Sequence, residues 1–205
     1  MKLVIATRNP GKLSEYAAIY ADLPLHLTSL TDEGILVFPQ ETGETFRQNA
    51  ILKARAYLQE SGLLTLADDS GLEVDALGGD PGVRTSRYAG EDASDEDRYR
   101  LLLRNLEDVP WEERTARFRC VVAIATPDGR IRCTEGACEG IIALEPSGTR
   151  GFGYDPVFYL PEHGCTMAEL SADVKNRISH RAIAARAARP ILEQLLSTTG
   201  GSSLA

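Results

Sequence analysis

Short apolar runs alternate with helical stretches along this chain, and that alternation restricts the fold more than any other feature. Lys2–Thr7 (KLVIAT) reads as a buried strand and Leu13–Ala21 as a helix. Thr45–Glu60 places Phe46, Ala50, Ala54, Tyr57 and Leu58 on one side of a stronger helix, which Ser61-Gly62 ends. Leu63–Ala67 is a second apolar strand. Ser94, followed by Asp95, Glu96 and Asp97, predicts an N-cap and an acidic first turn for a helix to about Leu106. Phe118, Cys120, Val122 and Ile124 alternate, and with Pro127-Asp128-Gly129 and Arg130–Ala137 they predict a hairpin. Ile141–Leu144 reads as one more strand. From Ser179 the chain is rich in Ala and Arg and reads as a helix to about Leu196, kinked at Pro190. Strands interleaved with helices, around one antiparallel hairpin, predict an α/β fold with a mixed sheet.

At 205 residues the pattern fits one domain over 1–198, followed by a flexible tail over 199–205. Charge narrows the function. Lys and Arg number 22 against 30 Asp and Glu, a net −8. A chain this acidic does not suit a nucleic-acid backbone, and a phosphorylated ligand would need a local basic pocket or a bound cation. No apolar run approaches the roughly 20 residues of a membrane span, and the N-terminus lacks a signal-peptide pattern. Cys120, Cys133, Cys138 and Cys165 form no CxxC pair and have no histidine at zinc-finger spacing, so they read as reduced thiols of a cytoplasmic protein.

Five segments carry candidate chemistry, and each has a plainer reading. Thr7-Arg8-Asn9-Pro10-Gly11-Lys12 lies between a strand and a helix, where backbone N–H groups, a hydroxyl and an ammonium can meet phosphate oxygens. Alone, Asn-Pro-Gly is a turn, and P-loop spacing is absent. Asp68-Asp69-Ser70-Gly71 follows the second strand. Adjacent carboxylates repel, so the pair points to a cation or a proton-transfer role, and hard Mg²⁺ suits such oxygens; the alternative is a solvated turn. Glu41-Thr42-Gly43-Glu44-Thr45-Phe46 leads into the helix bearing Asn49 and Lys53, and reads equally as a helix cap. Gly151-Phe152-Gly153-Tyr154-Asp155-Pro156 offers close backbone approach and an aromatic face for a planar base, or simply an aromatic turn. Lys175 and Ser179-His180-Arg181 combine two planar donor groups, or else a cap and a structural histidine.

In this order, VIATRNPGK, ETGETFRQNAILKARAY, LADDSGLEVDALGG, PGVRTSRYAGEDA, GFGYDPVFY, MAEL, Lys175 and ISHRAIA span Val4 to about Ala184. On these stretches the sequence resembles the inosine triphosphate pyrophosphatase family, which hydrolyses non-standard purine nucleoside triphosphates. The resemblance implies an elongated mixed β-sheet flanked by helices, two lobes around a central nucleotide-binding cleft, and a homodimer. It implies cleavage of ITP, dITP or XTP to the monophosphate and pyrophosphate with Mg²⁺, without nucleic-acid or membrane partners. Carried over by motif, Thr7, Arg8, Asn9, Pro10, Gly11, Lys12 and Lys53 would hold the phosphates. Glu41, Asp68 and Asp69 would form the metal site, with Asp69 as general base, and Ser70 would touch substrate. Phe152, Gly153, Tyr154, Asp155, Lys175, His180 and Arg181 would enclose base and sugar. His180 and Arg181 offer donors to the 6-carbonyl of hypoxanthine or xanthine, where adenine presents an amino group. On the residues alone, a metal-dependent phosphatase releasing inorganic phosphate and a non-catalytic nucleotide sensor remain open.

Overall fold

The first strand, β1, is Lys2–Ile5 and the first helix, α1, is Pro10–Ile19, three residues earlier than the apolar pattern predicts. Asn9 explains the early start. Its side-chain Oδ1 accepts from the backbone N–H of Gly11 and Lys12, and Pro10 takes the first helical position, where a missing N–H is harmless. The predicted turn Pro10-Gly11-Lys12 is therefore the opening turn of the helix. This is a computed structural model, and it describes residues 1–200.

Strand β2 (His26–Ser29), which carries no long apolar run, lies parallel to β1. Helix α2 (Phe46–Ser61) has Thr45 as N-cap and Gly62 in the left-handed conformation at its end, φ 64°, close to the sequence reading. Strand β3 departs from it. It runs Thr65–Val74, so Asp68, Asp69, Ser70 and Gly71 lie inside the strand and not beyond it. Helix α3 (Asp95–Asn105) carries the predicted cap, a reciprocal Ser94–Asp97 box. Strands β4 (Thr115–Ala125) and β5 (Ile131–Ile142) flank the predicted turn, where Thr126 N–H donates to the Arg130 carbonyl. The separate strand expected at Ile141–Leu144 is instead the end of β5, which stops at Ile142. Gly140 lets the chain continue there, because a Cβ would lie 2.6 Å from the Phe158 ring.

Two short strands, β6 (Phe158–Leu160) and β7 (Cys165–Thr166), precede α4 (Ala172–Ile178) and α5 (His180–Gly200). Pro190 lies within α5, which continues past Leu196 to Gly200; the rest of the expected tail lies outside the described residues. The strands form one seven-stranded sheet of order β2-β1-β3-β4-β5-β6-β7. β1 is parallel to β2 and β3, and β6 is antiparallel to β5 and β7, so the sheet is mixed. Among the described residues no helix is long and apolar enough to cross a membrane.

The chain divides into two compact units. The first comprises Met1–Asp69, Cys120–Gly136 and the chain from Arg181; the second comprises Ser70–Arg119 and Ala137–His180. Leu3, Ile5, Tyr16, Leu66, Val122 and Ala185 belong to the core of the first, and Leu72, Leu102, Phe118, Tyr154 and Phe158 to that of the second.

Candidate functional site

In the first unit the residues gather around β3. Successive side chains of a strand face opposite ways, so the neighbours Asp68 and Asp69 serve different partners although both are buried. Asp68 Oδ2 accepts from Lys12 Nζ at 2.9 Å and Arg181 Nε at 3.2 Å, and Cys120 Sγ lies 3.8 Å away. Arg181 also donates from Nη1 to Glu15 Oε2 at 2.6 Å. On the other side Lys53 Nζ is shared, 2.8 Å from Asp69 Oδ1 and 2.9 Å from Glu41 Oε1. Asn49, one turn before Lys53 on α2, donates from Nδ2 to Asp69 Oδ2 at 3.3 Å.

This arrangement sets the two aspartates apart electrostatically. Burial alone would push Asp68 up, but Lys12, Arg181 and Lys53 outweigh it and hold the carboxyl well below the ordinary range. Asp69 is raised: burial dominates, and Lys53 offsets it only in part while Glu41 adds to it. Burial opposes the charge of Lys53, yet Asp69, Glu41 and Asp68 raise its pKa above the ordinary lysine value. Burial, reinforced by Asp68, pushes the Cys120 thiol up to about 12, so it is a neutral packing group and not a nucleophile. The connected acids Glu15, Glu41, Asp68 and Asp69 outnumber Lys12, Lys53 and Arg181 by one charge, and the excess falls on the Glu41–Asp69 side.

The loop before α1 supplies shape as well as charge. Thr7 Oγ1 accepts from Asn9 N–H at 3.1 Å while Asn9 caps α1, so both side chains fix the loop whose backbone precedes Lys12. Pro10 and Gly11 form the helix's first turn. Arg8 turns to the segment 35–38: Nη2 donates to the carbonyls of Ile35 at 2.9 Å and Val37 at 3.3 Å, and the guanidinium lies 4.0 Å from the Phe38 ring centroid. The motif resemblance assigns Arg8 to the phosphates; here its guanidinium meets the segment 35–38.

The second unit holds Ser70, Phe152, Gly153, Tyr154, Asp155, Lys175 and His180. Asp155 Oδ2 accepts from Phe152 N–H at 2.9 Å and Lys175 Nζ at 2.5 Å, and that ammonium lies 4.5 Å from the Phe152 ring centroid. Asp95 Oδ2 accepts from Gly153 N–H at 2.7 Å. Tyr154 is a core side chain whose hydroxyl donates to the Thr85 carbonyl, and Asp155 is equally buried, so both side chains shape the loop. His180 is buried and stacks on Phe118, 4.7 Å between centroids and 16° between planes. Ser70, next to Asp69 on β3, is half-buried.

Asn49 and Glu15 are given no role by the sequence reading, and Asp95 is read there only as a first-turn acid of α3 and not as a partner of Gly153. Asn49 had a signal, standing four before Lys53 and so on the same helical face. Glu15 and Asp95 had none, because their partners lie 166 and 58 residues away.

Metal capacity follows from the same geometry. Among the described residues no three His, Cys, Asp or Glu side chains stand together as a ready-made cage. Glu41 and Asp69 are hard oxygen donors that share one ammonium, which fits a cation completed by phosphate oxygens and water.

A family model described as the Ham1 family matches residues 3–191. The chain is 50% identical over 200 residues to a dITP/XTP pyrophosphatase of Geobacillus kaustophilus, covering 98% of this chain and 97% of that one. It is 52% identical to one of Geobacter sulfurreducens, covering 88% and 90%. Among solved structures, a HAM1 protein from Coxiella burnetii superposes with a TM-score of 0.86 at 41% identity, over 95% of this chain and 99% of that one. A nucleoside-triphosphatase / dITP/XTP pyrophosphatase from Mycobacterium abscessus gives 0.74 at 42%, over 94% and 100%.

Proposed function

This chain belongs to the Ham1 family, and on that premise we propose that it hydrolyses non-standard purine nucleoside triphosphates. The substrates are dITP, XTP and ITP, and the products are the monophosphate and pyrophosphate. One observation carries the reading: a chain matched to dITP/XTP pyrophosphatases over nearly its whole length holds a raised-pKa Asp69 beside Lys53 and Glu41.

The residues divide the work. A triphosphate brings about four negative charges, which Lys12 and Lys53 offset at the phosphates. Asp69 orients the attacking water and takes its proton; a carboxylate raised by burial is a stronger base than an exposed one. That water attacks in line on the phosphoanhydride. Glu41 and Asp69 are the first carboxylates we assign to Mg²⁺, since Asp68 Oδ2 is committed to Lys12 and Arg181. Bound there, Mg²⁺ would neutralise phosphate oxygens. Phe152, Lys175, His180 and Arg181 are assigned to base and sugar on the motif resemblance. We read the enzyme further as a cytoplasmic homodimer acting on free nucleotides, in keeping with its net −8.

The test is a panel of nucleoside triphosphates assayed with and without Mg²⁺. Pyrophosphate released from dITP, XTP and ITP well above ATP and GTP is the expected result. Inorganic phosphate in its place would transfer the protein to the phosphatase reading.

A further inference from the structure

Asn49 is completely buried, and its amide is used at both ends. Oδ1 accepts from the backbone N–H of Gly43 at 2.8 Å, and Nδ2 donates to Asp69 Oδ2 at 3.3 Å. Gly43 lies two residues after Glu41, and Asp69 is in the middle of β3. Lys53, one turn further along α2, links the same two places through charge, bonding Glu41 Oε1 and Asp69 Oδ1. α2 therefore grips the 41–43 segment and β3 with two prongs, one neutral and directional, the other charged.

The prongs differ in what they can specify. An ammonium carries three rotatable donors on a flexible stem and tolerates displacement of its partner, whereas a buried carboxamide has a planar, fixed geometry. Space around Gly43 reinforces the neutral prong. A Cβ there would lie 2.6 Å from Asn49 Oδ1 and 2.7 Å from Gln48 Cβ, so the backbone at 43 packs directly on the amide. With Oδ1 held by Gly43, the Nδ2 side must point at Asp69, and the flipped amide would set an oxygen against a carboxylate.

We propose that Asn49 is a positioning residue for the hydrolysis assigned above: it fixes the plane of the Asp69 carboxylate and ties it to the Glu41 segment, so that both acids keep one spacing. The proposal rests on the pyrophosphatase reading. It predicts that Asn49 acts on turnover and not on substrate affinity, because its side chain is completely buried and offers no surface to a ligand. A misplacement of about 1 Å at a reacting group lowers rates by about 100-fold, which sets the scale of the effect.

The experiment compares Asn49→Ala and the isosteric Asn49→Asp with the wild type. Steady-state pyrophosphate release, equilibrium binding of a non-hydrolysable dITP analogue and thermal unfolding are measured for each. Expected is a fall in kcat of about 10- to 100-fold in both variants, with KM and analogue affinity within about threefold of wild type. Asn49→Asp keeps the Gly43 acceptor and the size, so it tests the Asp69 prong even if Asn49→Ala unfolds. Either variant keeping kcat within threefold of wild type per folded molecule overturns the proposal, as does a loss confined to KM or to analogue binding. Wild-type enzyme that releases no pyrophosphate would refute the underlying reading instead, so the two failures are distinguishable.

Discussion

Each unit is organised around a buried lysine–aspartate pair, Lys53–Asp69 in the first and Lys175–Asp155 in the second, and the two pairs are built for different ends. Lys53 is shared between Asp69 and Glu41, and the Asp69 pKa is raised chiefly by burial, with Glu41 adding to it and Lys53 offsetting it only in part. Asp155 Oδ2 meets Lys175 and also accepts from the Phe152 N–H, and that ammonium lies over the Phe152 ring, so this pair holds a loop. The same pair of residue types bridges an acid-rich cluster in the first unit and holds a loop in the second.

Removing the acid on each side should break this comparison most clearly. Asp69→Asn is expected to lower kcat by about 10²–10⁴-fold, the usual contribution of a general base, in a pyrophosphate-release assay. Its thermal stability at neutral pH should be no lower than wild type. The sign follows from linkage: a raised folded pKa means stability present below the ordinary Asp range and lost as pH rises through the folded value, and the amide removes that loss. If turnover stays above a tenth of wild type, the base is Glu41 or Asp68.

Asp68→Asn should do the reverse to stability. Its depressed folded pKa gives stability that is present above the ordinary Asp range and lost as pH falls through the folded value. Deleting the charge leaves Lys12 and Arg181 short of a partner in a buried setting, which typically costs about 3–5 kcal/mol. Denaturant titrations at neutral and acid pH would show the gap between variant and wild type closing at low pH; a constant gap would mean the shift is misattributed.

The second pair is sharpened by Gly151→Ala. Gly151 has φ 80°, and a Cβ would collide with Asp155 Oδ2, so the loop must move. Strain of about 1–3 kcal/mol is expected, and KM should rise while kcat changes by less. An unchanged KM would remove the loop from substrate binding. Arg8→Ala should have the smallest effect. Losing an exposed carbonyl-and-ring tether worth about 1 kcal/mol lowers kcat/KM by no more than about fivefold. A hundredfold loss would return Arg8 to direct phosphate contact.

Much of this molecule is legible without coordinates wherever one local signal decides the outcome. Ser94 with Asp97 announces α3, Thr45 and Gly62 bracket α2, and the Pro127-Asp128-Gly129 turn separates β4 from β5. Misreadings concentrate where a local signal was outvoted. Asp68-Asp69-Ser70-Gly71 has the composition of a turn, yet it continues β3, and cations from distant parts of the chain meet the charge. Asn9 moved the start of α1 because a side chain capped donors that a turn would have left to water.

The sequence by itself determined the alternation of strands and helices, the segments that bear chemistry and the family they resemble, since these depend on residues within a few positions of one another. Tertiary structure alone decided which acid meets which cation. Asp68 and Asp69 are adjacent in the chain, but Asp68 is paired across 56 and 113 residues with Lys12 and Arg181, and Asp69 across 16 with Lys53. Their pKa values separate because desolvation and Coulomb interaction depend on distance in space, and the pleat of β3 turns the two carboxylates to opposite sides.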